Sequence, residues 1–287
     1  MVMVAKTIFK RYELKYVLDR CQYDAVEKVL QEHMVLDRYG HSSIRNIYLD
    51  TDDFLLARRS IEKPLYKEKL RLRSYGAATE DEDIFVELKR KYDGVVYKRR
   101  LSIPSKKAME WFSGNAEPPM GQIAEEIDYF RVRYQGIGPA MYLSYERDSY
   151  AAKDGGDLRI TIDSDILSRT VDIDLGQEPS GNEVLPKGYR VMEVKTMYGY
   201  PSWLTELLSY NSLYKSSFSK YGNAYKEMVL GFRPEEVCLP SYAGQISRSN
   251  SGYATDNQTA GKRSVIDKTL YSHAKTAASI KMRGTIE

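Results

Sequence analysis

The sequence predicts an α+β fold: a closed antiparallel β-barrel of about eight strands forming a basic tunnel, with helices packed outside. The stretch Pro64 to Ser74 is the first reason. Read at period two, Lys67, Lys69, Arg71 and Arg73 fall on one face of a strand, and Glu68, Leu70 and Leu72 on the other. The second reason is recurrence. Later strands repeat this division, often with Glu among the Lys and Arg of the charged side. The third is connectivity: most links are hairpins or short helices, which favours antiparallel pairing. There is no βαβ rhythm, internal repeat, Gly-rich phosphate loop or dinucleotide fingerprint.

Taken in order, Phe9 to Val17 is the first strand, with Arg11, Glu13 and Lys15 on one face. Asp19 caps an amphipathic helix, Asp19 to Glu32, that turns Ala25, Val26, Val29 and Leu30 inward. His33 and His41 fall in a polar connection. Ser42 to Thr51 is the second strand, Asp52 to Ser60 a short helix, and Pro64 to Ser74 the strand already described. Thr79 to Asp83 is an acidic loop. Ile84 to Lys91 and Val95 to Ile103 form a hairpin about Asp93-Gly94, with Glu87 and Lys89 facing Lys98 and Arg100. A bulge at Arg99 would exchange the faces of that return strand.

Pro104 opens a helix over Ser105 to Phe112, and Met120 to Tyr134 is another. Met141 to Ala151 and Asp157 to Ser168 are strands, the second alternating Arg159, Thr161 and Asp163 against Leu158, Ile160 and Ile162. Gly188 to Met197 carries Glu193 and Lys195 on one side. Pro201 to Tyr210 and Ser219 to Met228 are helices. This gives a folded domain over 1–239 and a basic tail over 240–287 that reads as disordered, with a weak helix at Ser264 to Met282.

Composition narrows the function. With 42% hydrophobic and 29% charged residues the chain of 287 is an ordinary soluble protein. No apolar run spans a bilayer and no signal peptide is recognisable. Cys21 and Cys238 lack metal spacing and fit a reducing, cytoplasmic compartment. Three histidines, the third being His273, supply neither a His-rich metal site nor a catalytic triad. The net charge is +3, but the tail holds seven Lys/Arg and three Asp/Glu. Removing those from the totals of 43 and 40 leaves the body at −1. The body is therefore no general nucleic-acid surface.

One alternating charged strand is ordinarily a solvated sheet face with cross-strand Glu–Lys pairs. Repetition over several strands is what argues for an enclosed anion site. Cations buried together are costly without an accompanying anion. Arg grips phosphate in a bidentate manner and Lys acts as a point charge. Glu13, Glu87 and Glu193 make sense there as ligands of Mg²⁺ or Mn²⁺ bridging to phosphate oxygens.

The ordered set Arg11-Tyr-Glu-Leu-Lys-Tyr16, Ile47-Tyr-Leu-Asp-Thr51, Lys69-Leu-Arg-Leu-Arg-Ser-Tyr-Gly76, Phe85-Val-Glu-Leu-Lys89, Tyr145-Glu-Arg-Asp-Ser-Tyr150, Met192-Glu-Val-Lys195 and Ser219-Lys-Tyr221 resembles the vacuolar transporter chaperone (VTC) domain. That domain is the polyphosphate polymerase of the triphosphate tunnel metalloenzymes, and the likeness covers roughly residues 7 to 230. It implies ATP-dependent synthesis of inorganic polyphosphate, assisted by Mn²⁺ or Mg²⁺. By that likeness Lys15, Arg71, Arg73, Lys89, Lys98, Arg147 and Lys220 bind the triphosphate or the chain, and Glu193 holds the metal. Lys220 joins on the likeness alone; from the residues it is an exposed helix-start lysine.

Arg11 stands where the wider superfamily often has a first glutamate, which questions a second metal on that strand. No phosphate-sensing helical domain precedes Lys6 and no membrane segment follows Met228, so neither inositol-phosphate regulation nor translocation is implied. Together, Arg71, Arg73, Arg147 and Lys89 are expected to stabilise the transferring group. Arg11, Lys15, Lys69, Lys98, Arg100, Arg159, Lys195 and Lys220 are expected to bind substrate, and Glu193, Glu13 and Glu87 the metal. The partners are ATP or another triphosphate and polyphosphate. Two alternatives stay open: a metal-dependent triphosphatase in the same tunnel, and a non-catalytic polyphosphate-binding module. A nucleic-acid binder fits least, because the tyrosines lie mostly opposite the cations.

Overall fold

The computed structural model describes residues 12–93 and 95–238, within the compact unit Met1–Cys238. The expected tail, the Ser264 to Met282 helix and Arg11 lie outside the described residues. The elements run β1 (Tyr12–Leu18), α1 (Arg20–His33), β2 (Met34–Asp50), α2 (Leu55–Glu62), β3 (Tyr66–Tyr75), β4 (Asp83–Tyr92) and β5 (Val95–Pro104). They continue α3 (Ser105–Phe112), α4 (Gln122–Arg133), β6 (Gly138–Ala152), β7 (Arg159–Arg169), β8 (Asn182–Glu183), β9 (Arg190–Thr196), α5 (Ser202–Tyr210), α6 (Lys220–Met228) and α7 (Pro234–Cys238). The strands form one sheet in the order β1-β9-β7-β6-β2-β3-β4-β5, with β8 on β7. Every pairing is antiparallel.

The expected closed barrel is not formed. Among the described residues β1 and β5, the two ends of the order, do not pair. The sheet curls until Glu13 of β1 stands 4.0 Å from Lys89 of β4, so side chains meet where backbones do not. Closure needs strand tilt and stagger to agree around the whole ring. Here β5 remains an edge, with residues 95–100 exposed.

Local chemistry accounts for the elements. The Asp19 carboxylate accepts the Gln22 amide at 2.9 Å while the Gln22 side chain accepts the Asp19 amide at 3.1 Å, a capping box that starts α1. Asp93 takes a φ of 42°, as the first central residue of a primed hairpin turn must. The polar connection expected before Ser42 is instead strand. Met34 to Leu36 pair with Tyr150 to Ala152, and a bulge before His41 absorbs the extra residues. The short β8 and α7 also go beyond the expected elements.

Alternation divides the sheet cleanly. On the convex side Leu70, Leu72, Val86 and Leu88 pack against Trp111 and Phe112 of α3 and Ile127 and Phe130 of α4. Further round, Tyr16, Ile160, Ile162, Met192 and Val194 pack against α1 and α5. On the concave side Tyr48, Met141, Leu143 and Val191 meet Tyr221, Ala224 and Tyr225 of α6. Tyr48 and Tyr221 stack with centroids 4.1 Å apart. The helix α6 thus fills the apolar part of the concavity and leaves the charged part free of aliphatic packing. Among the described residues no helix is long and apolar enough to cross a membrane.

Asp50 holds that arrangement. Its carboxylate accepts the amides of Thr51 (2.8 Å), Leu56 and Ala57 (both 2.9 Å), and the Tyr221 hydroxyl at 2.7 Å. One buried acid therefore caps α2 and ties it to α6. Asp50→Ala leaves these donors buried without acceptors and is expected to cost roughly 3 kcal/mol. Urea unfolding should show a lower midpoint at unchanged slope; an unaltered midpoint would remove Asp50 from this role.

Candidate functional site

Glu87 organises one half of the charged concavity. The register sets Arg71 of β3, Glu87 of β4 and Arg100 of β5 side by side. Glu87 is 1% exposed. Arg71 donates to its Oε2 from Nε at 2.8 Å and from Nη2 at 2.6 Å. Arg100 Nε and Lys98 Nζ reach Oε1 at 2.7 and 2.6 Å. Arg73 lies 3.8 Å from the same carboxylate, and donates to Asn46 Oδ1 and the Tyr145 hydroxyl, both at 3.0 Å. Burial alone would raise the Glu87 carboxyl, but Arg71, Arg73 and Lys98 outweigh it and hold it well below its ordinary value. Lys98 and Arg100 share this inner face without a bulge, and Arg99 points outward to Glu126 at 2.8 Å.

Asp163 organises the other half. It sits on β7 opposite Arg147 of β6 and is fully buried. Arg147 grips it with two hydrogen bonds, of 2.6 and 2.7 Å. Lys220, the first residue of α6, also donates to it. The Lys220 ammonium stands 4.6 Å over the Tyr145 ring. Burial opposes ionisation of the Tyr145 phenol, yet Arg73, Arg147 and Lys220 together bring it down to about 8.

The remaining residues line β1, β9 and the neighbouring part of β3 and β4. Glu193 pairs with Lys195 at 2.5 Å and Lys15 at 3.5 Å. Glu13 stands 3.6 Å from Lys15 and 4.0 Å from Lys89. Lys69 donates to the Ser219 hydroxyl at 2.9 Å. Among the described residues it has no carboxylate within ion-pair distance. Burial, followed by Lys15, Lys89, Lys67 and Arg71, pushes its pKa well down. Burial likewise lowers Lys98 to about 8, against the pull of Glu87.

The structure therefore gathers Glu13, Lys15, Lys69, Arg71, Arg73, Glu87, Lys89, Lys98, Arg100, Arg147, Glu193, Lys195 and Lys220 on one concave surface. Arg159 lies on the same side of β7, directly opposite Lys195, but its guanidinium is turned to the strand end, bonded to the carbonyls of Gly156 and Leu158 at 3.1 and 3.0 Å. Asp163, Tyr145, Tyr48, Asn46 and Ser219 join the site without having been singled out from the sequence. Alternation had already placed Asp163 on a charged face. Ser219 also caps α6, accepting the Gly222 amide at 3.1 Å, so the positive end of that helix dipole faces the cluster.

The donor set limits how a divalent cation would be held. Among the described residues no three of His, Cys, Asp and Glu gather as ligands. Both oxygens of Glu87 are taken by cations. Glu193 holds Lys195 closely on one oxygen and Lys15 only at 3.5 Å from the other, and Glu13 has cations no nearer than 3.6 Å, so a divalent ion at these two carboxylates would take the place of Lys15. That fits an ion carried on a phosphate substrate, which draws most of its ligands from phosphate and water, and does not fit an all-protein cage.

The depressed Glu87 carboxyl sets a pH test. A lowered folded-state pKa gives stabilisation that is present above the ordinary value of 4.5 and is lost as pH falls below it. The urea midpoint of Glu87→Gln should lie well below wild type at about pH 7, and the gap should narrow at about pH 3. An equal gap at both pH values would exclude ionised Glu87 as the source.

Comparison with known proteins gives the family. No curated protein matches the chain. Among solved structures, a protein from Bacillus halodurans described as a candidate adenylate cyclase is 16% identical with a TM-score of 0.47, over 72% of this chain and 92% of its own. HpAC1 from Hippeastrum, described as having a dominant triphosphatase activity, is 16% identical with a TM-score of 0.45, over 74% and 93%. The PH1819 protein from Pyrococcus horikoshii is 14% identical with a TM-score of 0.39, over 78% and 100%. The assignment rests instead on the family model of the VTC domain, which matches residues 10–229. The chain belongs to the VTC domain family.

Proposed function

We propose that the chain is a polyphosphate polymerase, moving the γ-phosphoryl group of ATP onto the end of an inorganic polyphosphate chain. The observation that carries this reading is a charge imbalance. Among the described residues the cations on the concave face outnumber the carboxylates Glu13, Glu87, Asp163 and Glu193, and Lys69 lies among other cations with no carboxylate within ion-pair distance. Such a surface lacks an anion, and a run of phosphates supplies it.

The reaction needs positioning and charge stabilisation more than covalent chemistry. The terminal phosphate of the acceptor, already ionised, attacks the γ-phosphorus. The bond between that phosphorus and the β,γ-bridging oxygen breaks, ADP leaves and the chain is longer by one unit. Arg71 and Arg73, held by Glu87, Tyr48, Asn46 and Tyr145, and Arg147, held by Asp163, stabilise charge on the transferring group. Lys89, Lys98, Lys15 and Lys220 orient the flanking phosphates. A bound Mn²⁺ or Mg²⁺, held by Glu193 with Glu13, would neutralise phosphate charge.

The test is to incubate the purified protein with ATP and Mn²⁺. The products are run on a polyphosphate-staining gel and free phosphate is measured alongside. A ladder is expected. Free phosphate without a ladder would make the protein a triphosphatase, and neither product would make it a binding module. Glu193→Gln should abolish the metal-dependent turnover while still folding, as a single cooperative urea transition shows; full activity in that variant would overturn the metal assignment.

A further inference from the structure

The lining of the concave face changes character along β3, β4 and β5. The register sets Arg71, Glu87 and Arg100 on one rung. On the next, Arg73 stands opposite Phe85, and Phe85 opposite Ser102. Beyond these, strand alternation brings Tyr75 and Asp83 to the same side. The Ser102 hydroxyl donates to Asp83 at 3.2 Å, which fixes that carboxylate on the inner face. With distance from the β4–β5 hairpin, the lining therefore passes from cations to aromatic rings and then to a carboxylate.

The rings are held in place and remain accessible. Tyr75 meets Phe85 edge to face, with centroids 5.9 Å apart. The Arg100 guanidinium lies 4.3 Å over the Phe85 ring while it holds Glu87, and so joins that ring to the arginine cluster. Phe85 is half-buried, and Tyr75 is 50% exposed although it shares the face of two arginines. The β3–β4 turn beyond them carries Glu80, Asp81 and Glu82, all exposed. Phosphate is repelled at that end of the concavity. The matching ligand is anionic at one end, and at the other is aromatic, uncharged and equipped with hydrogen-bond donors. A nucleoside triphosphate has this distribution.

We infer that Tyr75 and Phe85 form the seat of the donor's nucleobase, with Asp83 accepting hydrogen bonds from the nucleoside. This rests on the reading of the concave face as a triphosphate site, and deepens it by naming the end that receives the nucleoside. The base lies on the rings at the β3–β4 turn, and the triphosphate runs from there to Arg71, Arg73 and Arg100. Every base has a π-face, so the rings accept any of them. The Asp83 carboxylate, which only accepts hydrogen bonds, favours a base edge or a sugar that presents N–H or O–H groups. The seat also separates two kinds of ligand: an inorganic triphosphate has nothing to place on it.

The experiment measures the binding of β,γ-imido-ATP and of inorganic tripolyphosphate, each with Mn²⁺, to the full chain and to its variants Tyr75→Ala and Tyr75→Phe. Tyr75→Ala should lose about tenfold in affinity for β,γ-imido-ATP and hold tripolyphosphate within about twofold of wild type. Retained tripolyphosphate binding also reports that the variant is folded. Tyr75→Phe keeps the ring and should bind both ligands as wild type does. An unchanged ratio of the two affinities in Tyr75→Ala would overturn the seat, whether both are kept or both fall together. A loss for β,γ-imido-ATP in Tyr75→Phe as large as in Tyr75→Ala would overturn stacking as its basis. Wild type that binds tripolyphosphate and not β,γ-imido-ATP would overturn the seat alone. Wild type that binds neither would remove the parent reading along with it.

Discussion

Glu87 receives Arg71, Arg100 and Lys98 in a space where its own carboxylate, 1% exposed, would not be stable alone. A buried carboxylate needs cations, and buried guanidinium groups need an anion whose remaining lone pairs are also satisfied. The β3–β4–β5 register meets both demands with one residue from β3, one from β4 and two from β5. Asp163 repeats the device for Arg147 and Lys220, across a different pair of strands and a helix. Two acids thus preset the geometry of the arginines before any ligand arrives. The lysines around them are left with spare charge. The division of labour is between groups fixed by protein carboxylates and groups that have none.

Part of this was legible in the residues themselves. Strand alternation has a fixed period, so a pattern such as Lys69-Leu-Arg-Leu-Arg73 states which side chains share a face whatever the strand pairs with. That is why Arg71, Arg73, Glu87, Lys89, Lys98, Arg100, Arg147 and Glu193 reach the same surface. Arg159 obeys the same alternation, but it sits near the strand end, where turn carbonyls compete for its guanidinium. Residues that depend on distant pairing were harder to foresee. Lys220 reads as a solvated helix start until α6 folds back on the concave face, and only the family resemblance placed it there. Asp163 was assigned to a charged face, yet its role follows from lying opposite Arg147, which no local pattern reports. Met34 to Leu36 read as polar connection because their strand character comes from Tyr150 to Ala152 across the sheet.

Closure of the sheet was the expectation that failed, for a related reason. Alternation fixes faces and leaves curvature open. Whether the first and last strands meet depends on twist accumulated over all the intervening pairs and on bulges such as the one before His41. The charged faces need only be brought near one another, and a curl achieves that with the Glu13–Lys89 contact in place of a ladder.

That contact has a mechanical meaning. Around the rest of the curl, parting neighbouring strands means breaking backbone hydrogen bonds. Along the line between β1 and the β4–β5 edge, among the described residues, no ladder forms: the gap is crossed by the long Glu13–Lys89 ion pair and by the segment Ser216 to Ser219, which bonds to Lys15 on one side and accepts from Lys69 on the other. The compliance of the enclosure is therefore concentrated at a single seam, and its bore can adjust there by rotamer changes while every paired strand keeps its register.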